Sequence, residues 1–431
     1  MIKTFLKEQT KKIMNILSRR KTYNVLIWGN SLFEYAMARE LRESNKIKEL
    51  YIANAEENQA ISKFGTLLKY NNNKELISEA KKHKVDIFIS NSEVNIQGII
   101  DEFNRNKIKT FGVNQKWTSL EASKIVGKRF AEKYNIPHPR YRIVKTMDDF
   151  DEYIGEFSFP VVIKANGYSK GSGVFICKDI EEAKKRANDI LDLKIVTTMP
   201  KLIIEEHIKG QECTLMAVWD GKNLLKLPPV KDYKRITEDE FDLNTGGMAS
   251  YCPLKLTVEQ SHLVDDYLDK LEKILKAEKA DFKGVIYSGM IFSEDRLNLL
   301  EFNMRFGSPE AIALMLNMKT NLFEIIESAV NQKLNTINIE MEEGAGFVLC
   351  FVCPDYPQGH SETVKLDLQI FDQLENNGIL TFIDSGKIED SKYLKNGDYI
   401  FAAGVNSVDP IANIYSEVEK IKINSTKYKK M

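Results

Sequence analysis

The chain has 431 residues, which is long enough for more than one domain. A hydrophobic content of 43% supports large cores, and 61 basic against 62 acidic residues leave no net charge to attract nucleic acid or a membrane surface. The apolar runs are far shorter than the ~20 residues of a membrane span, and five cysteines, an odd number in a long chain, indicate reduced thiols and a cytoplasmic location. We therefore expect small-molecule substrates, no nucleic acid partner, no membrane span, and a monomer or homodimer.

The first 22 residues predict a basic amphipathic helix, because seven Lys or Arg and one Glu are interspersed with apolar side chains. This extension lacks the continuous apolar core and the small-residue cleavage site of a secretory signal. Two roles stay open for it: packing onto its own domain or a partner, and contact with a membrane surface.

Strands and helices alternate over residues 23–115, which predicts an N-terminal domain with a parallel sheet wrapped on both faces. The predicted strands cover 23–28, 50–53 and 85–90, and a helix covers 99–103. A loop after the first strand suits phosphate binding at a helix N-terminus. Because this loop contains Gly29 but no G-x-G-x-x-G pattern, dinucleotide binding is not supported.

Lysines and a glycine-rich loop follow the N-terminal domain. A single helix is predicted over 118–134, and it carries Lys124 and Lys128. A strand over 160–164 ends in Lys164, and the loop 165–173 with its three glycines leads into a second strand. This hairpin is typical of a mobile flap whose backbone N–H groups close over phosphates, and an ordinary glycine-rich hairpin is the alternative.

The next strand, residues 202–204, runs into Glu205 and Glu206, and Glu212 follows after a turn. Carboxylates at the end of an apolar strand suit the hydroxyl groups and the exocyclic amine of a nucleoside.

Residues 285–292 and 299–305 predict a β-hairpin with its turn at Glu294-Asp295. Its second strand would place Glu301, Asn303 and Arg305 on one face, because alternate residues of a strand share a face. Mg²⁺ takes oxygen ligands from one or two protein groups plus phosphates, and an arginine can hold a phosphoryl group. The pattern favours a magnesium–nucleotide site, with an edge strand bearing a solvated polar face as the alternative.

Cys350 and Cys353 form a C-x-x-C pattern inside an apolar run. Because no second pair is nearby, a buried strand is favoured over metal or redox use.

The order of these elements resembles the ATP-grasp superfamily and, within it, the glycinamide ribonucleotide synthetase (phosphoribosylamine–glycine ligase) family. Residues 227–235 resemble the family's L-P-x-x-x-D-[HY]-K-R, residues 244–248 its N-T-G-G-M, and residues 302–310 its F-N-x-R-F-G-D-P-E. The resemblance extends from about residue 24 to about residue 420.

The resemblance implies an α/β multidomain ATP-grasp fold with an N-terminal parallel α/β domain, a mobile lid, a central domain and a C-terminal domain. The implied boundaries are the extension 1–22, the N-terminal domain 23–115, a linking helix 116–139, the lid 140–213, the central domain 214–335 and the C-terminal domain 336–431.

The resemblance also implies ATP and Mg²⁺ (or Mn²⁺) as cofactors. Lys124 and Lys164 would hold ATP phosphates under a flap containing Gly171 and Gly173. Glu205 and the backbone from Glu206 to Ile208 would meet adenine, and Glu212 the ribose. Glu301 and Asn303 would bind the metal. The implied catalytic residues are Arg305, which would hold the transferring phosphate, Lys164, Asn244 and Asp232. The implied acceptor-binding residues are Gly29, Glu34, Glu93, Lys234, Arg235, Ser308 and Glu310.

Departures from the family concentrate in three N-terminal loops. The family's G-x-G-G-R-E-H becomes residues 29–35, its A-P-G-N becomes 53–56, and its G-P-E-A-P-L becomes 91–96. Ser308 and Ile312 replace an aspartate and a glutamine, and residues 424–427 replace an arginine-bearing tail motif. Losing glycines and an arginine removes phosphate contacts.

We therefore predict an ADP-forming carboxylate–amine ligase that activates glycine or a similar small amino acid as an acyl phosphate and uses an acceptor other than phosphoribosylamine. An authentic phosphoribosylamine–glycine ligase of purine biosynthesis and a nucleotide-binding scaffold without turnover are the alternatives.

Overall fold

The computed structural model describes residues 21–54, 58–91, 93–167, 173–194, 199–237, 243–357, 363–421, 423 and 426–431. The predicted N-terminal amphipathic helix therefore lies outside the described residues. In the described part of the chain no helix is long and apolar enough to cross a membrane.

The helices are α1 (Leu32–Glu43), α2 (Asn73–Lys82), α3 (Ile99–Arg105), α4 (Gln115–Ala122), α5 (Lys124–Lys133), α6 (Met147–Tyr153), α7 (Ile180–Leu191), α8 (Val258–Ala277), α9 (Glu310–Asn317), α10 (Leu322–Val330), α11 (Gln369–Asn376) and α12 (Pro410–Ile421). The strands are β1 (Tyr23–Trp28), β2 (Ile47–Ala53), β3 (Thr66–Leu67), β4 (Ile87–Ser90), β5 (Lys109–Phe111), β6 (Tyr141–Val144), β7 (Val161–Ala165), β8 (Val174–Cys177), β9 (Leu202–Glu206), β10 (Gln211–Trp219), β11 (Leu224–Lys226), β12 (Lys231–Tyr233), β13 (Ala249–Cys252), β14 (Gly284–Ser293), β15 (Arg296–Asn303), β16 (Ala345–Val352), β17 (Val364–Asp367), β18 (Leu380–Ile383), β19 (Lys387–Glu389), β20 (Lys392–Lys395) and β21 (Tyr399–Ser407).

The first sheet has the order β3-β2-β1-β4-β5, and its neighbouring strands are parallel. Alternate side chains of β1 enter different cores: Val25 packs with α1, whereas Leu26 packs with Leu76 of α2 and Phe103 of α3. The predicted parallel sheet with helices on both faces is confirmed. Because the strands are parallel, the turns after β1, β2 and β4 gather at one edge, where ligands of such sheets bind.

The single helix predicted over 118–134 is wrong, because the structure has two helices that meet at Ser123. Ser123 has extended backbone angles (φ −141°), and its side-chain oxygen accepts a hydrogen bond from Val126 N. The Oδ1 atom of Asn166 holds this junction by accepting from Ser123 Oγ at 3.0 Å and from Ile125 N at 3.1 Å. A capping serine ends one helix and starts the next, which puts Lys124 at the first position of α5.

The second sheet is antiparallel, in the order β6-β9-β7-β8, and packs against α6 and α7. The predicted strands around the glycine-rich loop are confirmed as β7 and β8, with Lys164 opposite Val174. Gly171 lies outside the described residues.

The third sheet, β11-β10-β14-β15, contains the predicted hairpin. Its turn lies at Glu294, whose φ is +52°. β15 ends at Asn303, so Arg305 lies two residues beyond the strand instead of within it. A bulge interrupts the pairing of β15 between Leu299 and Glu301. Beyond it the alternation of the strand places Glu301 and Asn303 on one face, but it does not extend to Arg305.

The C-terminal part forms the sheet β12-β13-β16-β21-β18 and the smaller sheet β17-β20-β19. Cys350 lies in β16, and Cys353 follows that strand; both are buried. Asn58, which is fully buried, ties this part to the first sheet: its Nδ2 donates to Asn30 O at 2.8 Å and to Ile383 O at 3.3 Å.

Candidate active site

A cavity of about 540 Å³ opens where the turns after β1, β2 and β4 meet the hairpin β14–β15 and the second sheet. Most of the predicted site residues line it, although they are spread over more than 280 positions of the chain. They are Gly29, Glu34, Lys124, Lys164, Glu205, Glu206, Ile208, Glu212, Asp232, Lys234, Arg235, Asn244, Glu301, Asn303, Arg305, Ser308 and Glu310.

Three predicted site residues are not placed in the cavity wall. Gly173 lies in the turn before β8 and is not among the described residues that line the cavity. Gly171 lies outside the described residues. Glu93 begins a 3₁₀ turn, and its side chain also lies outside the described part.

Three buried charges meet at Glu205. Its Oε2 lies 2.5 Å from Lys164 Nζ and its Oε1 lies 2.8 Å from Lys128 Nζ. Burial alone would raise the pKa of Glu205, but the two ammonium groups outweigh burial and lower it. The triad keeps a net positive charge, which suits a nucleotide phosphate.

Lys128 was named from the sequence, but no site role was predicted for it. The available signal was its spacing, because residues four apart lie on one face of a helix. That spacing places Lys124 and Lys128 on one face of α5, but it does not reveal the partner Glu205.

Lys124 also faces the cavity. Burial lowers its pKa, and Glu301 opposes that shift by favouring the charged form. Its Nζ lies 3.5 Å from Gly167 O, at the start of the glycine-rich loop. Lys124, Lys164 and Glu301 therefore lie in one electrostatic cluster.

The loop that carries Arg305 is held from two sides. Glu121 of α4 accepts from Arg305 Nε at 2.9 Å and from Met304 N at 2.8 Å. Asn91, in the turn after β4, accepts from Phe306 N at 2.6 Å and donates to Phe306 O at 3.3 Å. The sequence does not reveal this use of Glu121 and Asn91, because the contacts join segments far apart in the chain.

Glu301 and Asn303 supply one carboxylate and one amide oxygen for a metal ion. Burial would raise the pKa of Glu301, but Lys234 and Lys124 lead the positive groups that lower it, so the carboxylate is ionised. Among the described residues there is no cluster of three His, Cys, Asp or Glu side chains that could hold a metal alone. The pair fits Mg²⁺, which completes its ligands with phosphates and water.

Asp232, in β12, and Lys234, just after that strand, both line the cavity. Burial, and after it the carboxylate of Glu310, raise the pKa of Asp232 well above its usual range. Burial disfavours the charge of Lys234, but Tyr287 and Glu212 outweigh burial and raise its pKa.

Two family models match consecutive parts of the chain. The N domain of phosphoribosylglycinamide synthetase matches residues 23–121, and its ATP-grasp (A) domain matches residues 122–311.

Curated relatives match nearly the whole chain. A phosphoribosylamine–glycine ligase of Caldanaerobacter subterraneus is 30% identical over 425 residues, which cover 94% of this chain and 98% of the relative. A protein of the same name from Fusobacterium nucleatum is 29% identical over 414 residues, covering 94% and 97%.

Solved structures share the fold. A phosphoribosylamine–glycine ligase of Thermotoga maritima superposes with a TM-score of 0.75 at 23% identity, covering 94% of this chain and 99% of that chain. The biotin carboxylase domain of a Hydrogenobacter thermophilus 2-oxoglutarate carboxylase, solved with MgADP, gives a TM-score of 0.70 at 15% identity, covering 95% and 92%. The two family models and the curated relatives show that the chain belongs to the phosphoribosylglycinamide synthetase family of ATP-grasp ligases.

Proposed function

We propose that this protein activates the carboxylate of a small amino acid with ATP and joins it to an amine, releasing ADP and phosphate. One observation carries the proposal: Lys124, Lys164, Glu301, Asn303 and Arg305 line a single cavity. They combine a cationic phosphate site with oxygen ligands for a metal, which is the equipment that phosphoryl transfer needs.

The reaction proceeds in two balanced steps. A carboxylate oxygen of the amino acid attacks the γ-phosphorus of ATP, the bond to the bridging oxygen breaks toward ADP, and an acyl phosphate forms. The amine nitrogen then attacks the acyl carbon, the bond from that carbon to the phosphate oxygen breaks, and phosphate leaves as the nitrogen loses a proton.

The chain's own groups stabilise the charge that develops. Lys124 and Lys164 hold phosphate oxygens, and Arg305 holds the phosphoryl group in transfer. Glu301 and Asn303 would hold Mg²⁺ (or Mn²⁺), which when bound supplies further positive charge.

The curated relatives favour glycine and phosphoribosylamine as the first candidate pair. Relatives of that name match 94% of this chain at 29–30% identity. A match over this length includes the N-terminal domain as well as the part of the chain that carries the predicted nucleotide-binding residues.

The turn after β1 supports a second candidate, an amine acceptor without a phosphate group. Ser31 N and Oγ both donate to Glu34 Oε2, at 3.2 and 2.5 Å, and Phe33 N donates to Ser31 Oγ at 3.3 Å. These three N–H and O–H groups at the start of α1 already donate hydrogen bonds within the turn. A phosphate bound at a helix N-terminus needs N–H groups that can donate to it instead. Asp384 and Asp398, from the C-terminal part, add carboxylates to the same cavity.

One assay tests the proposal and separates the two candidates. The full chain is incubated with ATP, Mg²⁺ and glycine or another small amino acid, and hydroxylamine traps the acyl phosphate as a hydroxamate. ADP release is then measured with phosphoribosylamine formed in the assay from ribose 5-phosphate and ammonia, and with a set of unphosphorylated amines. Product masses identify the acceptor. The absence of both hydroxamate and ADP with every amino acid tried would overturn the ligase proposal.

A further inference from the structure

Lys429 is a buried lysine that contacts β12 but is not among the described residues that line the cavity. It is 3% exposed, and its Nζ donates to Thr237 O at 3.2 Å. The same ammonium group lies 6.0 Å from the ring centroid of Tyr233, which belongs to β12. Because lysine is almost never this buried unless it is paired, its contacts with this part of the chain indicate a specific role.

The backbone around Lys429 is held by the C-terminal part. Lys427 N donates to Val352 O at 2.9 Å, and Val352 N donates to Lys427 O at 2.8 Å, at the end of β16. Tyr415 Oη, from α12, donates to Lys429 O at 2.5 Å. The lysine therefore extends from a fixed backbone, so its ammonium group can restrain the segment that it contacts.

The segment that Lys429 contacts lines the cavity with its other face. Lys234 and Arg235 line the cavity, whereas Tyr233 is not among the described residues that line it. Neighbouring side chains of an extended strand point to opposite faces, so the ring of Tyr233 faces away from the cavity. Lys429 thus approaches from the side opposite the cavity, and its bond to Thr237 O lies two residues beyond Arg235.

The loop 244–248 holds the start of the same segment. Thr245 N and Oγ1 both donate to Lys234 O, at 2.9 and 2.7 Å. Met248 N donates to Tyr233 O at 2.7 Å. These bonds restrain the backbone only as far as Lys234.

The bond from Lys429 restrains the other end, at Thr237. Arg235 lies between the two restraints, and its buried Nε makes no hydrogen bond within the described part of the chain. This atom therefore does not orient the guanidinium group, and the position of the backbone matters more for where the group lies.

We infer that Lys429 is a positioning residue, which fixes the backbone of Lys234 and Arg235 and thereby sets the affinity for the amine acceptor. The inference rests on the proposed function and takes these two cations as acceptor-binding residues, the role that the family resemblance implies. Lys429 acts from behind the cavity wall, through Thr237 O and the ring of Tyr233. A hydrogen bond from an ammonium group is stronger than one between neutral groups, which suits a restraint on an irregular segment.

The kinetic test compares Lys429→Met with Lys430→Met, which removes an exposed ammonium group from the next residue. The acceptor is whichever of phosphoribosylamine and the unphosphorylated amines gives product in the assay above. In Lys429→Met its KM should rise about tenfold, as expected for the loss of a hydrogen bond to a charged group, while kcat should fall less than about threefold. Lys429→Arg keeps the charge and should recover most of the affinity, and Lys430→Met should match the wild type.

Hydrogen exchange measures the same restraint without turnover. The amides of Thr245 and Met248 donate to the segment, so their exchange should be about tenfold faster or more in Lys429→Met and unchanged in Lys430→Met. Binding of a non-hydrolysable ATP analogue shows that each variant is folded.

Three results would decide against the inference or separate it from the ligase proposal. A lower Tm with unchanged KM and unchanged exchange would overturn it, because Lys429 would then only stabilise the fold. Faster exchange with an unchanged acceptor KM would overturn the role in acceptor affinity. Faster exchange in a protein that forms neither hydroxamate nor ADP would support the restraint by Lys429 and refute the ligase proposal.

Discussion

At the residue scale, substitution of Glu301, the metal ligand predicted from the hairpin β14–β15, tests the proposed chemistry most directly. In Glu301→Gln the side chain keeps its shape but loses the charge that would hold Mg²⁺, so turnover should fall by about 10²-fold or more. ATP affinity should change less than turnover, because the lysines remain. Hydroxamate formation and nucleotide binding measure the two effects, and ADP release near the wild-type rate would refute the metal role.

The buried triad at Glu205 should matter for stability as well as for ATP. Lys128→Met leaves Glu205 with one ammonium partner, and breaking a buried ion pair costs about 3 to 5 kcal/mol of the free energy of unfolding. Urea denaturation measures the change. The exposed pair Lys133–Glu278 offers the control, since Lys133→Met should cost less than about 1 kcal/mol.

The same triad predicts a pH dependence. The folded-state pKa of Glu205 is lowered, so its contribution to stability is complete above the unfolded value of about 4.3. It is lost as the pH falls through the lower folded value. In Lys128→Met the folded pKa rises toward the unfolded one, so less of the stability should depend on pH in this acid range. Urea midpoints of both proteins between pH 3 and 6 test this, and equal pH dependence would contradict it.

The family resemblance implied that Lys124, Lys164 and Glu301 share a site, and of the three only Lys164 and Glu301 were also indicated by residue types and spacing. They were not enough to predict Lys128 as a partner of Glu205, or Asn91 as a partner of Phe306. Such contacts depend on how distant segments pack, and neither periodicity nor motif spacing contains that information.

At the scale of elements, the junction of α4 and α5 controls where Lys124 lies. Ser123→Ala removes the cap of α5 and one of the two bonds to Asn166, which should cost about 1 kcal/mol and raise the KM for ATP more than it lowers kcat. Urea denaturation and steady-state kinetics measure the two effects. Ser119→Ala removes only a hydrogen bond from the half-buried Ser119 Oγ to Lys116 O within α4 and should change neither quantity. An unchanged KM in Ser123→Ala would show that the junction does not position Lys124.

Local patterns of apolar and turn residues correctly predicted several helices and strands. The parallel sheet and the hairpin β14–β15 follow from apolar runs bounded by turn residues. The break at Ser123 was missed because the apolar spacing of a helix continues across it. Only the capping chemistry of one serine marks the boundary.

At the scale of the whole molecule, Asn58 joins the turn after β1 to the end of β18. Asn58→Leu removes both bonds and a third one, in which Asn58 Oδ1 accepts from Ile61 N. It leaves the carbonyl groups of Asn30 and Ile383 without this donor, which should cost about 1 to 3 kcal/mol. We expect a lower Tm and a higher KM for the amine acceptor, with nucleotide binding unchanged. Asn413→Ala removes an exposed bond to Ser407 Oγ and serves as the control; an unchanged acceptor KM in Asn58→Leu would mean that this link does not shape the acceptor end.

The hydrogen bonds of Asn91 to Phe306 have a consequence for how this enzyme can change over evolution. The turn after β4 belongs to the sheet edge proposed for the acceptor, yet it is bonded to the residue that follows Arg305. A substitution that alters acceptor choice at this turn would also shift Arg305, to which we assign the phosphoryl group in transfer, so mutations at 91 and at 305–306 should be epistatic. Acceptor specificity in this lineage would then change only through paired replacements, in which a second substitution restores the position of the loop that carries Arg305.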